Sequence, residues 1–246
     1  MKKYLTAFCM TQSMFCSIPF PMHNWDEKSR PYMLLFLPIV GLEIGALWLI
    51  CHKVLVLFNI PYLIYALVMC VLPFLATGFI HLDGFMDVVD AVSSCRSLER
   101  RREILKDSHV GSFAVVWCVI LFLAAFACFG SAKQVANPLC LLFVPAVSRV
   151  GSALAVTNLK SMSTSQYAQS KAPKWHNAVL VAFAAACIAV TYFVSGRYTL
   201  CLVVQLAVYG YSLWRCYKSL QGMNGDISGF CITVSEVCAV AVWALL

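Results

Sequence analysis

Seven stretches of this sequence are apolar over the length needed to cross a lipid bilayer, near 32–50, 62–80, 113–130, 139–155, 178–194, 200–214 and 230–246. That pattern restricts the chain to an all-α, polytopic transmembrane helix bundle of about seven spans. The sixth window is short, and the seventh carries Glu236. The residues are 61% hydrophobic and only 12% charged, where soluble globular proteins carry roughly 25% charged residues, so most of the 246 residues belong in lipid. One integral membrane domain over 1–246 is expected, without a sizeable soluble domain. The first apolar run is short, is interrupted by Ser17, Pro19 and Pro21, and lacks a cleavage site. It reads as an interfacial segment of the mature chain. The thirteen cysteines are scattered singly through apolar runs with no C-x-x-C pair, and read as small hydrophobes.

Lysine and arginine positions set the orientation. With a cytoplasmic N-terminus, only Lys53, Lys133 and Arg197 of the 18 basic residues fall outside, and Arg149 lies within a span. The other basic residues lie on the inner side, which fits the positive-inside rule. The two longest inter-span segments, 81–112 and 156–177, then share the cytoplasmic face with the turn before the last span. An active site on that face of a bacterial inner membrane is the expectation.

The first of these segments opens on His81-Leu82-Asp83-Gly84, followed by Asp87 and Asp90. The aspartates stand at i, i+4 and i+7, within about 60° of one another on a helix. Like charges on one face repel, and a fold keeps them together when a cation sits between them. Hard divalent cations such as Mg²⁺ bind through a few carboxylates plus substrate phosphates. Arg96, Arg100, Arg101, Arg102 and Lys106 follow, completing the equipment for moving a phosphoryl group. Gly84 and Gly111 would let backbone approach a ligand closely. The competing reading of 93–109 is a solvated, charge-laced helix that merely sets topology. His81 reads equally as a base, a supporting partner or an interfacial histidine.

A second constellation is Gln221-Gly222-Met223-Asn224-Gly225-Asp226-Ile227-Ser228-Gly229, a tight turn entering the last span with Asp226 where a helix cap is expected. Glu43, Arg149 and Glu236 are charges inside spans, each costing on the order of 2.5–3.5 kcal/mol, and are read as pairing partners or as functional groups. Residues 160–177 read as a mobile polar loop, a potential lid.

Four stretches together resemble the cobalamin synthase (adenosylcobinamide-GDP ribazoletransferase) family. They are Ile18-Pro19-Phe20-Pro21 with Phe36-Leu37-Pro38-Ile39-Val40-Gly41; Gly78 through the H-L-D-G-x-x-D-x-x-D run at 81–90; Arg101-Arg102-Glu103-Ile104-Leu105-Lys106-Asp107-Ser108 with Gly111 and Phe113; and Gly222, Gly225-Asp226, Gly229 and Glu236. Ser148-Arg149 also matches. The chain departs from the pattern at Asn224, where the family usually has threonine, and lacks the arginine-glycine segment after the fourth span.

The resemblance implies that α-ribazole or its 5′-phosphate attacks the cobinamide-side phosphorus of adenosylcobinamide-GDP, releasing GMP in a Mg²⁺-dependent reaction. Asp83, Asp87 and Asp90 would hold the metal, and Arg102 and Lys106 the phosphate oxygens. Asp107 or His81 would orient or deprotonate the hydroxyl, while Gly84, Ser108, Gly111, Gly225 and Asp226 would line the substrate site. The implied partners are the nucleotide-activated corrinoid, α-ribazole and the lipid bilayer. No nucleic acid is expected, and the oligomeric state stays open. Two other readings were weighed. A CDP-alcohol phosphotransferase acting on lipid would need alanine-arginine after the aspartate-glycine, where Phe85-Met86 stand. A cation transporter would place its carboxylates near the midplane of several spans.

Overall fold

The computed structural model describes residues 2–20, 25–132, 137–162 and 172–246. Half of the potential lid, 163–171, lies outside them. The chain forms α1 (Lys2–Phe15), α2 (Met33–Leu57), α3 (Tyr62–Ala76), α4 (Ile80–Ser93), α5 (Leu98–Ile104), α6 (Ser112–Ala132), α7 (Leu139–Asn158), α8 (Trp175–Ser195), α9 (Thr199–Leu220) and α10 (Gly225–Leu245). Among the described residues there is no strand, only an isolated parallel bridge between Ser161 and Met223. The chain is an all-α bundle.

Five helical runs among the described residues are long and apolar enough to cross a membrane: Arg30–Leu57, Ser112–Ala132, Leu139–Asn158, Trp175–Leu220 and Gly225–Leu245. A sixth results if α3 and α4, bent by 92°, count as one span. The expectation of about seven treated 178–194 and 200–214 as separate spans. Both fall in the 46-residue run Trp175–Leu220, where a 3-10 turn at Gly196–Tyr198 links α8 to α9. Large apolar side chains stay exposed on the outer helices, including Val115, Val116, Val119 and Leu123 of α6, as a lipid-facing surface requires.

Small residues bring the central helices together. Added Cβ atoms at Gly41 and Gly45 of α2 would stand 2.5 Å from Pro145 O and 2.0 Å from Leu142 O of α7. This G-x-x-x-G spacing lets the two backbones meet, which is how helices gain contact where water supplies no hydrophobic drive. Glycines serve α4 and α10 likewise: a Cβ on Gly84 would lie 2.8 Å from Asp226 Cα, and one on Gly229 2.9 Å from His81 O.

The bend between α3 and α4 occurs where Gly78 and Phe79 both take left-handed backbone, with φ of 59° and 64°. Ser17, just after α1, anchors the end of α3 by donating its backbone N–H to Ala76 O and its hydroxyl to Leu75 O. The N-terminal segment is therefore a helix packed on α2, and its C-terminal end reaches the site described below.

Charges inside the bundle are paired. Arg149 Nη1 donates to Glu236 Oε1 at 2.7 Å and to Pro145 O at 2.9 Å, and Ser148 Oγ donates to the same carboxylate oxygen at 2.6 Å. Glu43 accepts from Gln12 Nε2 at 2.5 Å. Of the alternatives raised for these residues, the structure shows ion pairing for Arg149 with Glu236, while Glu43 meets the neutral amide of Gln12.

Candidate active site

The H-L-D-G-x-x-D-x-x-D run folds as α4, and burial grades along its acidic face: Asp83 is exposed, Asp87 half-buried and Asp90 buried. The reason is the helix's crossing with α10 and α6. Gly84 and Gly229 let α10 settle against the first turn of α4, which brings Asp226 of α10 beside Asp83 and Asp87. Asp87 thus sits in the fields of Asp83, Asp226 and Asp90, a concentration of like charge that a bound cation or a proton relieves.

Asp90 is engaged with protein. Its Oδ2 accepts the backbone N–H of Gly111 at 2.6 Å and its Oδ1 that of Ala114 at 2.9 Å. These are donors at the start of α6 that no intrahelical carbonyl could satisfy. A Cβ at Gly111 would stand 2.6 Å from Asp90 Oδ1, so glycine is needed for that approach. The close approach that Gly84 and Gly111 permit is therefore to protein.

The turn before α10 is built by side chains capping its ends. Asn224, not Asp226, is the N-cap: its Oδ1 accepts the Ile227 N–H at 3.0 Å, three residues on, as a cap requires. Asp226 lies in the first turn, with its Oδ2 accepting from Asn224 Nδ2 at 2.5 Å. On the other side of the turn, Gln221 ends α9 in left-handed backbone, φ 50°.

Arg102 holds that end. Its Nε donates to Leu220 O at 3.0 Å and its Nη2 to Gln221 O at 2.8 Å. Arg101 Nη1 donates to Ser219 Oγ at 2.6 Å. Met162 and Met223 pair through Met162 N–H to Met223 O and Met223 N–H to Lys160 O, both 2.9 Å.

Behind these carboxylates lies a cavity of about 240 Å³. Asp83, Asn224, Gly225 and Asp226 line it together with His81 and Phe15. The His81 ring lies over Phe15, with centroids 6.3 Å apart and planes 17° apart, and its Nε2 has no hydrogen-bond partner among the described residues. The His81 carbonyl accepts from Thr233 Oγ1 at 3.2 Å.

Lys106, Asp107 and Ser108 are exposed on the loop after α5 and do not line the cavity. The His109 ring and backbone N–H both hydrogen-bond Asp107, at 2.6 and 3.0 Å, which holds its carboxyl below its ordinary value.

The structure therefore gathers His81, Asp83, Asp87, Gly225 and Asp226 and leaves the Lys106–Asp107–Ser108 group apart. It adds Phe15 of α1 and Ser152 of α7, which no motif marked, the latter hydrogen-bonded to Ser228 of the 221–229 constellation. Asn224 was legible, since asparagine three residues before an apolar run is a cap signal.

Among the described residues no three His, Cys, Asp or Glu side chains close into a metal site by themselves. Asp83, Asp87 and Asp226 offer hard oxygen donors on one side only. That donor set fits Mg²⁺, which keeps several waters and takes the rest of its shell from substrate phosphates.

The family model for cobalamin-5-phosphate synthase matches residues 7–244. A Clostridium perfringens protein named adenosylcobinamide-GDP ribazoletransferase is 32% identical over 251 residues, covering both chains in full. One of the same name from Clostridium botulinum is 32% identical over 244 residues, 96% of each chain. A third, from Lachnoclostridium phytofermentans, is 35% identical over 159 residues, 65% of this chain and 60% of its own. No solved structure matches.

Proposed function

The chain belongs to the cobalamin-5-phosphate synthase family, and on that premise we propose that it is an adenosylcobinamide-GDP ribazoletransferase. It joins adenosylcobinamide-GDP to α-ribazole or its 5′-phosphate, giving adenosylcobalamin or its phosphate and GMP. The observation that carries this reading is that Asp83 of α4 and Asp226 of α10 line one cavity, with Asp87 beside them. Neither a lipid phosphotransferase nor a transporter accounts for the whole-length relatives, and a single acidic mouth suits catalysis better than an ion path.

Asp83, Asp87 and Asp226 would hold Mg²⁺, which when bound supplies charge neutralisation to the diphosphate and the departing GMP. Asp90 holds α6 in place with both of its oxygens, and so keeps the face that presents Asp87. Arg102 holds the Leu220–Gln221 carbonyls, and through them the turn that carries Asn224 and Asp226. Lys106 remains the exposed cation of the group, free to meet a phosphate from solvent. Of the two bases considered, His81 lines the cavity and Asp107 does not, so His81 is assigned to orient the attacking hydroxyl and take its proton. The hydroxyl oxygen bonds to the cobinamide-side phosphorus as the bond from that phosphorus to GMP oxygen breaks.

The inner-membrane, cytoplasmic-face orientation is supported by the distribution of basic residues. Seven crossings are supported by the length of Trp175–Leu220: 46 residues at ~1.5 Å each far exceed the ~30 Å hydrocarbon core, so the turn at Gly196 divides two crossings. Membranes carrying the protein should release GMP from adenosylcobinamide-GDP when α-ribazole is added, and chelation by EDTA should stop the release until Mg²⁺ is restored. Asp87→Asn with near-normal turnover would remove the metal assignment.

A further inference from the structure

The cavity has a half that phosphate chemistry leaves unused. Met14, Phe15, Leu34, Leu37, Ile80 and Val156 form an apolar wall in the same cavity as Asp83 and Asp226. At about 240 Å³ the cavity is smaller than the ~300–1,000 Å³ that encloses a drug-sized ligand. A corrinoid or a whole nucleotide is too large for it, whereas one small ring system fits. The stacked rings of Phe15 and His81 supply aromatic surface for a flat guest.

The wall's polarity selects among flat guests. Its hydroxyls, Ser152 and Ser228, are hydrogen-bonded to each other and buried. Against Phe15, Leu37 and Val156 a polar base such as guanine gives up bonds to water that those side chains cannot replace, which burial penalises. An apolar fused ring loses little and gains from leaving water.

We propose that this apolar wall is the subsite for the aromatic base of the nucleoside acceptor and sets which lower bases the enzyme accepts. The inference rests on the reaction proposed above. With the base against Phe15, Leu37 and Val156, the acceptor's sugar lies on the side of Asp83 and Asp226, where the diphosphate is bound. The guanosine and the corrinoid then remain outside the cavity.

The test uses the full-length protein in lipid nanodiscs and separate KM values for adenosylcobinamide-GDP, α-ribazole and a one-ring acceptor, imidazole riboside. Val156→Phe fills the subsite and should raise KM for α-ribazole about tenfold or more, with KM for adenosylcobinamide-GDP unchanged and imidazole riboside affected less. Val156→Ala, which enlarges the subsite and is the safer variant for folding, should improve the use of acceptors with bases bulkier than that of α-ribazole. If either variant changes both KM values equally, or leaves acceptor choice unaltered, the subsite assignment is overturned. Failure of the wild-type protein to release GMP at all would instead overturn the reaction, so the two failures are separable.

Discussion

Asp90 accepts the backbone N–H of Gly111 at 2.6 Å, across 21 residues, with a carboxylate oxygen that the sequence pattern had grouped with two metal-ligand candidates. Its other oxygen takes the N–H of Ala114. The three aspartates on one helical face thus divide: Asp83 lines the cavity with Asp87 close to it and to Asp226, and Asp90 ties α4 to the start of α6. The division yields a prediction for each part.

Asp90→Asn leaves one amide donor facing another, because an asparagine side chain has only one acceptor oxygen. Stability should fall by about 1–3 kcal/mol, the range for an unsatisfied buried donor, and appear as a lower melting temperature in detergent. Asp87→Asn removes charge from a repelling group and should keep or raise the melting temperature while abolishing GMP release. A stable but inactive Asp90→Asn would contradict the division.

Gly84→Ala places a methyl carbon 2.8 Å from the Asp226 backbone, so α4 and α10 must separate. A shift approaching 1 Å between Asp83 and Asp226 should lower turnover by about 10²-fold. Gly210→Ala, on the open side of α9 with nothing within 4 Å, is the control and should leave turnover unchanged.

Arg149 and Glu236 form a pair across α7 and α10 whose side chains are 1% and 10% exposed. Removing one partner, as in Glu236→Met or Arg149→Met, should cost roughly 3–5 kcal/mol by stranding a charge. The double replacement Arg149→Met with Glu236→Met should be less destabilised than either single change. Thermal unfolding of the four proteins completes the cycle.

Arg102→Lys keeps the charge but loses the fork that spans the Leu220 and Gln221 carbonyls. If the arginine acts by holding the turn, kcat should fall while KM for adenosylcobinamide-GDP changes little. A raised KM with normal kcat would show instead that its guanidinium binds the phosphates.

Orientation can be read from Cys95, the exposed cysteine between α4 and α5. A membrane-impermeant maleimide should label it in inverted inner-membrane vesicles and not in intact spheroplasts. Cys95→Ser supplies the blank.

Much of this was legible because it is local. Apolar length announces helices in lipid, and a 3.6-residue period places Asp83, Asp87 and Asp90 on one face whatever surrounds them. Asn224 announces a helix start, although Asp226, two residues later, competes for the same role until the hydrogen bond to Ile227 is seen. The role of Gly41 and Gly45 emerged only with the fold, where α7 packs against them. Other features were hidden because they depend on contacts between distant residues. Phe15 reaches the cavity only because Ser17 anchors the end of α1 to α3, and Arg102 meets carbonyls 118 and 119 residues away.

The sequence alone determined that the chain is a helical membrane bundle with an acidic site beside basic residues, and its motifs identified the family. Those features follow from composition and from spacing along one helix. Only the tertiary structure decided which acids share a mouth, because that depends on where Gly84 and Gly229 let α4 and α10 cross. It also decided that Asp90 and Arg102 bond to backbone, since unpaired N–H and carbonyl groups at helix ends must find partners from elsewhere in the fold.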